Sequence, residues 1–326
     1  MYKTTLEGTT LKPSADAGRR PIAVTVISVS AESMQLQIAG VDASFANALR
    51  RIMLAEVETM AIELVNIEAN DSVVEDAMLA HRLGLVPLRI DPLLYDLWKR
   101  GDQVRERNNA VEFHINFVAR AERKQQDQSI HLLSKHLRPG PLVSKSSSGY
   151  ESEESVPDDD PEEHPLIVWP DIMLAKLAPN QRVKLTAYAT RGNGKEHAKW
   201  SPVSTASYRM KPTVRITDRI DGAAAVKLKA TCPKAVFDIE DTGAAYVPEG
   251  AELQCSMCRE CLRVGKDWEG RLELGREADC FLFSIETAGQ LEPAQIFERA
   301  LDIFENKCTE VKQALDTLPD VVEQDA

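Results

Sequence analysis

Three cysteines spaced as C-x-x-C-x-x-C are the residues best placed to do chemistry: Cys255, Cys258 and Cys261. Each neighbouring pair has the two-residue gap that lets two thiolates bind one metal ion. Three thiolates do not complete a structural zinc site, so a fourth ligand would have to come from Cys232, Cys280 or a histidine. The spacing also resembles iron–sulfur ligation. A metal-binding or iron–sulfur redox module is therefore one alternative function.

Free, reduced thiols on a loop are the favoured interpretation of the trio, because the sequence shows no obvious fourth ligand. We therefore expect no bound metal here and no cofactor elsewhere. The six cysteines do not form the framework of a disulfide-rich secreted protein, and they favour a reducing, intracellular compartment.

No other motif predicts catalysis. The run Gly192–Lys195 reads Gly-Asn-Gly-Lys, but its spacing is not that of a phosphate-binding loop and no Ser or Thr follows the lysine. The sequence shows no tight acidic motif for two metal ions, no nucleophile elbow and no metalloprotease helix. We therefore predict no catalytic residues and a protein that is not itself an enzyme.

The composition of the chain restricts its partners and its organisation. A net charge of −12 argues against direct, specific binding of nucleic acid. No stretch approaches the roughly 20 apolar residues of a membrane span, and 326 residues predict two domains. Residues 137–165 are rich in Pro, Ser, Gly and acid, which predicts a disordered loop. We expect flexible tails at residues 1–19 and 319–326.

Two elements near the N-terminus have informative patterns. Alternating apolar residues between Val24 and Ile38 predict a hairpin of half-buried strands that turns near Ala31–Ser33. The period then becomes helical, and Asp42 or Ser44 could cap a helix at about 45–57. Its apolar face carries Phe45, Ala48, Leu49, Ile52 and Met53, and its polar face carries Asn47, Arg50 and Arg51. From periodicity alone, a surface helix with solvated arginines is the favoured interpretation.

Two further helices are predicted. One spans about 73–85, is ended by Gly84 and Pro87, and carries His81 and Arg82 in its last turns. The other begins at Pro293, a proline suited to a first helical turn, and continues to about Leu318. Its apolar residues alternate at spacings of four and three, as in a coiled coil. This apolar seam could pack against a helix of a partner protein or form part of the chain's own core. It consists of Phe297, Leu301, Phe304, Cys308, Val311, Leu315 and Leu318.

Two long motifs resemble the alpha-type assembly subunits of RNA polymerases. They are Asn-Ala-Leu-Arg-Arg-Ile-Met at 47–53 and Ala-His-Arg-Leu-Gly-Leu-Val-Pro-Leu at 80–88. The stretches 171–209 and 281–304 resemble the same family. Within it, the polymerase II type carries a cysteine-rich zinc loop in the region that corresponds to residues 91–107, which hold no cysteine here. The type shared by polymerases I and III is therefore favoured, with the polymerase II subunit as the alternative.

The resemblance implies an α+β fold, in which a bacterial-alpha-like dimerisation domain (residues 20–58 and 213–318) is interrupted by a β-rich inserted domain (residues 59–212). It implies a nuclear and nucleolar, non-catalytic subunit that pairs with a smaller alpha-like subunit. That heterodimer would support the two largest polymerase subunits and contact small zinc-binding ones. The helix pair would supply the partner interface through Phe45, Leu49, Ile52, Met53, Phe297, Leu301, Phe304, Cys308, Val311 and Leu315. Large-subunit docking would use Asn47, Arg50, Arg51, His81 and Arg82. The resemblance also implies that the cysteine region of the polymerase I/III type lacks a metal cluster.

Overall fold

The computed structural model describes residues 21–98, 109–120, 130–140, 142–145, 151–154, 166–264 and 266–317. The tails predicted at 1–19 and 319–326, and the last seam residue Leu318, lie outside the described residues.

Strands and helices are mixed along the described chain, which confirms the predicted α+β class. The strands are β1 (Ala23–Val29), β2 (Ser33–Ala39), β3 (Thr59–Asn70), β4 (Ala110–Val118), β5 (Ile130–Leu133), β6 (Arg138–Pro139), β7 (Leu142–Lys145), β8 (Glu151–Glu154), β9 (Met173–Leu177), β10 (Arg182–Gly192), β11 (Val203–Ile216), β12 (Asp238–Ile239), β13 (Ala245–Tyr246) and β14 (Leu272–Thr287). The helices are α1 (Ala43–Ala55), α2 (Asp76–Gly84), α3 (Gly222–Thr231), α4 (Glu260–Arg263) and α5 (Pro293–Asp316).

The chain divides into two compact units. The first comprises the described residues within Met1–Ser28, Gln35–Asn47 and Ser207–Ser284. The second comprises those within Val29–Met34, Ala48–Ala206 and Ile285–Ala326. The second unit thus takes most of α1 and all of α5 together with the described residues within 59–206, which are most of those expected to form the inserted domain. The domain boundaries given above remain a prediction.

The first unit contains most of a sheet with the strand order β1-β2-β14-β11. Strand β2 alternates as predicted and buries Met34, Leu36 and Ile38. Strand β1 does not: it lies at the sheet edge, and every one of its residues is exposed. The expectation that Val24 and Val26 are half-buried is therefore wrong for the isolated chain, because nothing in the described residues covers either face of this edge strand.

The second unit is built on a sheet with the order β3-β10-β4-β6. Strand β10 pairs antiparallel with both β3 and β4, and the alternating pattern of a half-buried strand places its apolar residues in one core. Leu79 and Leu83 of α2 pack in the same core beside Phe113 of β4. Each such fully buried side chain contributes about 1.5–3 kcal/mol of transfer free energy. Helix α2 is therefore fixed to this unit by its inner face.

The segment predicted to be disordered is partly described. Within residues 137–165, β6 pairs with β4, and β7 pairs antiparallel with β8. The structure thus assigns strands at 138–139, 142–145 and 151–154, where the composition predicted none. The remaining residues of the segment lie outside the described part of the chain, apart from 137 and 140.

Candidate subunit interface

Helix α1 begins at Ala43, and its N-terminus is capped by Asp42, as predicted. The Asp42 Oδ1 atom accepts hydrogen bonds from the backbone N–H of Phe45 (2.9 Å) and from the hydroxyl of Ser44 (2.7 Å). A side-chain cap of this kind satisfies a backbone donor at the helix start and contributes about 1 kcal/mol.

The apolar face of α1 is internal to this chain. Leu49 and Met53 are fully buried, and Ile52 is only 3% exposed. Leu49 and Ile52, which the resemblance assigns to the partner interface, are therefore covered by the chain's own fold. Phe45, at the start of the helix, is half-buried and keeps some accessible surface.

The opposite face of α1 carries the residues predicted to contact a large subunit. Arg51 is exposed, whereas Asn47 and Arg50 are half-buried. The interpretation of this face as carrying two solvated arginines therefore fits Arg51 but only partly fits Arg50. Arg51 presents the freely accessible guanidinium, and it can bind carboxylates in a bidentate manner.

Helix α5 has an inner face that anchors its first half. Pro293, Ile296 and Ala300 are buried, and the Glu292 backbone N–H donates to Oε1 of Gln295, which completes a capping interaction. Ionic contacts add to this anchoring: Arg299 Nη2 lies 3.0 Å from Asp91 Oδ1. Further along, Lys307 Nζ lies 2.8 Å from Glu56 Oε2.

The predicted seam lies away from that inner face, and we call it the α5 stripe: Phe297, Leu301, Phe304, Cys308, Val311 and Leu315. Phe297 and Phe304 are half-buried, whereas Val311 and Leu315 are 60% and 62% exposed. Every residue from Cys308 to Asp316 is exposed. Within the described residues, the second half of this heptad-like stripe is therefore exposed, whereas Phe297 and Phe304 are partly covered.

Helix α2 places its two predicted docking residues differently. His81 is exposed and lines a groove beside Glu63, His197 and Lys199. The Arg82 Nη1 atom donates to the backbone carbonyls of Met173 (3.1 Å) and Leu174 (3.3 Å). Arg82 therefore holds α2 to β9 within this chain, a role that its position in the sequence does not reveal.

The Gly192–Lys195 run, excluded as a phosphate loop, has a packing function that sequence reasoning missed. A Cβ atom on Gly192 would lie 2.5 Å from the ring of Trp200, and one on Gly194 would clash with the carbonyl oxygen of Leu54. The Trp200 indole N–H donates to Thr190 O at 3.0 Å, and Lys199 Nζ lies 4.3 Å from the ring centroid. The glycines allow the backbone to approach both α1 and this tryptophan.

The cysteine trio does not stand alone. Cys255, Cys258 and Cys261 line one small cavity of the first unit together with Cys232. In the part of the chain that the structure describes, no group of three or more His, Cys, Asp or Glu side chains is already arranged to hold a metal ion. No described helix is both long and apolar enough to cross a membrane.

The described residues thus form an α+β fold with a long helix, α5, on which Leu301, Val311 and Leu315 are exposed. The RNA polymerase Rpb3/Rpb11 dimerisation domain matches residues 35–308. The chain belongs to this family.

Relatives within the family are similar over most of their length. The DNA-directed RNA polymerases I and III subunit rpac1 of Dictyostelium discoideum is 38% identical over 298 residues, which cover 90% of this chain and 82% of the relative. The corresponding subunit of Saccharomyces cerevisiae is 33% identical over 307 residues, with coverage of 90% and 88%. The DNA-directed RNA polymerase II subunit rpb3 of Dictyostelium discoideum is 31% identical over 296 residues, with coverage of 88% and 92%.

Proposed function

We propose that this chain is the assembly subunit shared by DNA-directed RNA polymerases I and III. The two Dictyostelium relatives support the choice over polymerase II: the polymerase I and III subunit is 38% identical and the polymerase II subunit 31%. In this role the chain is non-catalytic and acts in the nucleus and nucleolus. It pairs with a smaller alpha-like subunit, and the pair supports the two largest subunits and small zinc-binding subunits.

The observation that carries this proposal is the α5 stripe. Leu301 is 36% exposed, and exposure rises to 62% at Leu315. The apolar side chains of a helix that extends past its own core are in contact with water. A second chain that covers them removes this apolar surface from water, which is favourable. A few residues near the centre of such an interface typically carry most of the binding energy, and truncating one of them costs about 2 kcal/mol or more. Phe45 of α1 is half-buried and remains a candidate residue of the partner interface. Leu49, Ile52 and Met53 are buried in the chain's own core and would affect the interface only indirectly, by stabilising the fold.

Large-subunit docking is proposed for the polar face of α1. Arg51 is the exposed guanidinium of that face, and His81 is an exposed side chain on α2. Asn47 and Arg50 contribute from half-buried positions, and Arg82 contributes by fixing α2 through its bonds to β9.

Co-purification with the smaller alpha-like subunit tests the interface. Leu315→Glu places a charge in the stripe without touching the chain's own core, so the isolated variant should fold normally and lose the smaller subunit. Gln313→Glu introduces the same residue at an exposed position on the opposite side of α5 and should retain it. Wild-type recovery of the smaller subunit by the Leu315 variant would show that the stripe is not the interface.

The same purification tests the docking face. Arg51→Ala should retain the smaller subunit but reduce recovery of the two largest subunits, because Arg51 lies outside the chain's own core. Normal recovery of the whole enzyme would remove Arg51 from the docking surface while leaving the heterodimer proposal intact.

A further inference from the structure

One flank of the α5 stripe faces the core of this chain. Ile296 and Ala300 each directly precede a stripe residue, and both are buried. Lys307 also directly precedes a stripe residue, and its Nζ lies 2.8 Å from Glu56 Oε2. Successive residues of an α-helix are about 100° apart. The residues that directly follow stripe residues therefore lie on the other flank, away from the core.

That other flank carries charges that recur every seven residues. We call it the outer flank, and it consists of Glu298, Glu305 and Lys312. All three residues are exposed. In a coiled-coil seam, the charged residues beside the apolar positions form salt bridges with the facing helix and set the choice of partner. The outer flank therefore occupies the positions from which a helix selects its partner by charge.

The two glutamates of the outer flank have acidic rather than basic neighbours. Within the described residues, the ion pairs of α5 use Arg299 and Lys307 instead. Asp302 is exposed and stands four residues after Glu298 and three before Glu305, and no Lys or Arg stands at such a spacing from either glutamate. Like charges at these spacings destabilise a helix. Basic side chains on a facing helix would relieve this repulsion.

We propose that the α5 stripe binds a helix of the smaller alpha-like subunit that carries basic residues opposite Glu298 and Glu305 and an acidic residue opposite Lys312. This inference rests on the proposed function and specifies the chemistry of the partner. The apolar stripe supplies affinity. The outer flank supplies discrimination, because a helix of the wrong charge pattern loses the attraction and also meets repulsion. The pattern fixes the register too, since a shift of one heptad would bring a base of that helix against Lys312.

A second copy of this chain fits the stripe less well. Two antiparallel copies of α5 can pair each Glu298 with the Lys312 of the other copy. That register places the two Glu305 side chains opposite each other, because residue 305 lies midway between residues 298 and 312. A homodimer therefore meets like charges at its centre, whereas a different helix with a base at that position does not.

The test is a competition for the smaller alpha-like subunit. Purified wild-type chain and an equal amount of one variant are mixed with a limiting amount of that subunit, and mass spectrometry measures which of the two it has bound. Glu305→Lys should be captured about fivefold less than the wild type, since it replaces a surface attraction by a repulsion. Glu310→Lys makes the same change at an exposed position, about 140° round the helix from Glu305, and should compete equally.

Two further measurements test the sign and the electrostatic origin of the effect. Lys312→Glu should also be captured less than the wild type, although it changes the charge of α5 in the opposite direction. Raising the salt concentration to about 1 M, where the Debye length is about 3 Å, should bring the capture of both variants close to that of the wild type.

Several outcomes would overturn the proposal. Equal capture of Glu305→Lys and the wild type, or preferential capture of Lys312→Glu, contradicts the charge pattern. If Leu315→Glu loses the smaller subunit while Glu305→Lys competes equally, only the charge pattern is wrong and the proposed function stands. If Leu315→Glu retains the smaller subunit, the stripe is not the interface and both conclusions fall. A stable dimer of the purified chain alone that Leu315→Glu dissociates would assign the stripe to a second copy.

Discussion

At the scale of single residues, Glu56 shows how a side chain with no sequence signal connects two elements. Its carboxylate lies 2.8 Å from Lys307 Nζ of α5 and 3.2 Å from Lys195 Nζ of the Gly192–Lys195 run. Burial alone would raise the pKa of Glu56, but hydrogen bonds from both lysines, with their charges, outweigh burial and lower it. Glu56 therefore stays ionised at neutral pH, and its contribution to stability is lost only in acid.

His136 behaves differently, because its environment opposes the charged form. Partial burial is the main cause that lowers the pKa of its imidazole below 6.5. Its ring centroid lies 4.4 Å from that of Phe117, and Nδ1 lies 3.0 Å from the backbone nitrogen and 3.1 Å from the carbonyl oxygen of Leu133. The hydrogen bond with the Leu133 backbone raises the pKa, but burial and the charges of Lys135 and Arg138 outweigh it.

We predict a pH dependence from His136. The unfolded chain binds the proton more readily than the folded chain, so stability is complete above pH 6.5 and falls as the pH drops towards the lower folded pKa. The urea midpoint of the wild type should decrease between pH 7.5 and pH 5.5. His136→Asn should flatten this decrease, whereas His131→Asn, at an exposed position of β5, should not. An unchanged pH slope in the His136 variant would contradict the prediction.

At the scale of elements, α1 and α5 each bury one face within the chain and expose another. Helix α5 buries Ile296 and Ala300, whereas Val311 and Leu315 of the α5 stripe are exposed. Helix α1 buries Leu49, Ile52 and Met53 of the apolar face that the family resemblance, rather than its period, implied as part of the partner interface. Periodicity identified the apolar faces of both helices, but it could not say which of them the chain itself covers.

The Gly192–Lys195 run supports α1 through close backbone packing, and this yields a prediction. Gly194→Ala should destabilise the chain by about 1–3 kcal/mol, because its new methyl group meets the backbone of Leu54 and Ala55, which cannot move without distorting α1. Gly140→Ala is the matched control, since its Cβ atom would make only ordinary contacts of 3.5 Å or more. The denaturant midpoints of the two variants are compared. Equal midpoints would show that the Gly192–Lys195 run shifts to accommodate the new methyl group and would contradict the prediction.

At the scale of the whole molecule, charge and family membership together define the role. A chain with a net charge of −12 and no predicted catalytic residues is suited to protein partners rather than to nucleic acid. Assembly subunits act through the surfaces that bind other subunits. Loss of such a subunit should therefore have the same effect as loss of the enzyme that it helps to assemble.

Depletion of the chain in cells tests which enzyme that is. Synthesis of ribosomal RNA and of small structured RNAs should fall before synthesis of messenger RNA, because polymerases I and III would lose their shared subunit. Metabolic labelling of new transcripts over the first hours of depletion measures the synthesis of ribosomal, small structured and messenger RNA separately. An early decrease confined to messenger RNA would assign the chain to polymerase II instead.

The sequence by itself determined the α+β class, the family, a helix cap at Asp42 or Ser44, the alternation of β2 and the apolar stripe of α5. These features depend on residue type and local spacing, which helical and strand periods convert directly into faces. Only the tertiary structure decided that Leu49 and Ile52 are internal, that β1 is exposed on both faces, that Arg82 binds β9, and that Cys232 joins the cysteine trio. Each of these depends on contacts between residues far apart in the chain, and periodicity carries no information about which distant element covers a given face.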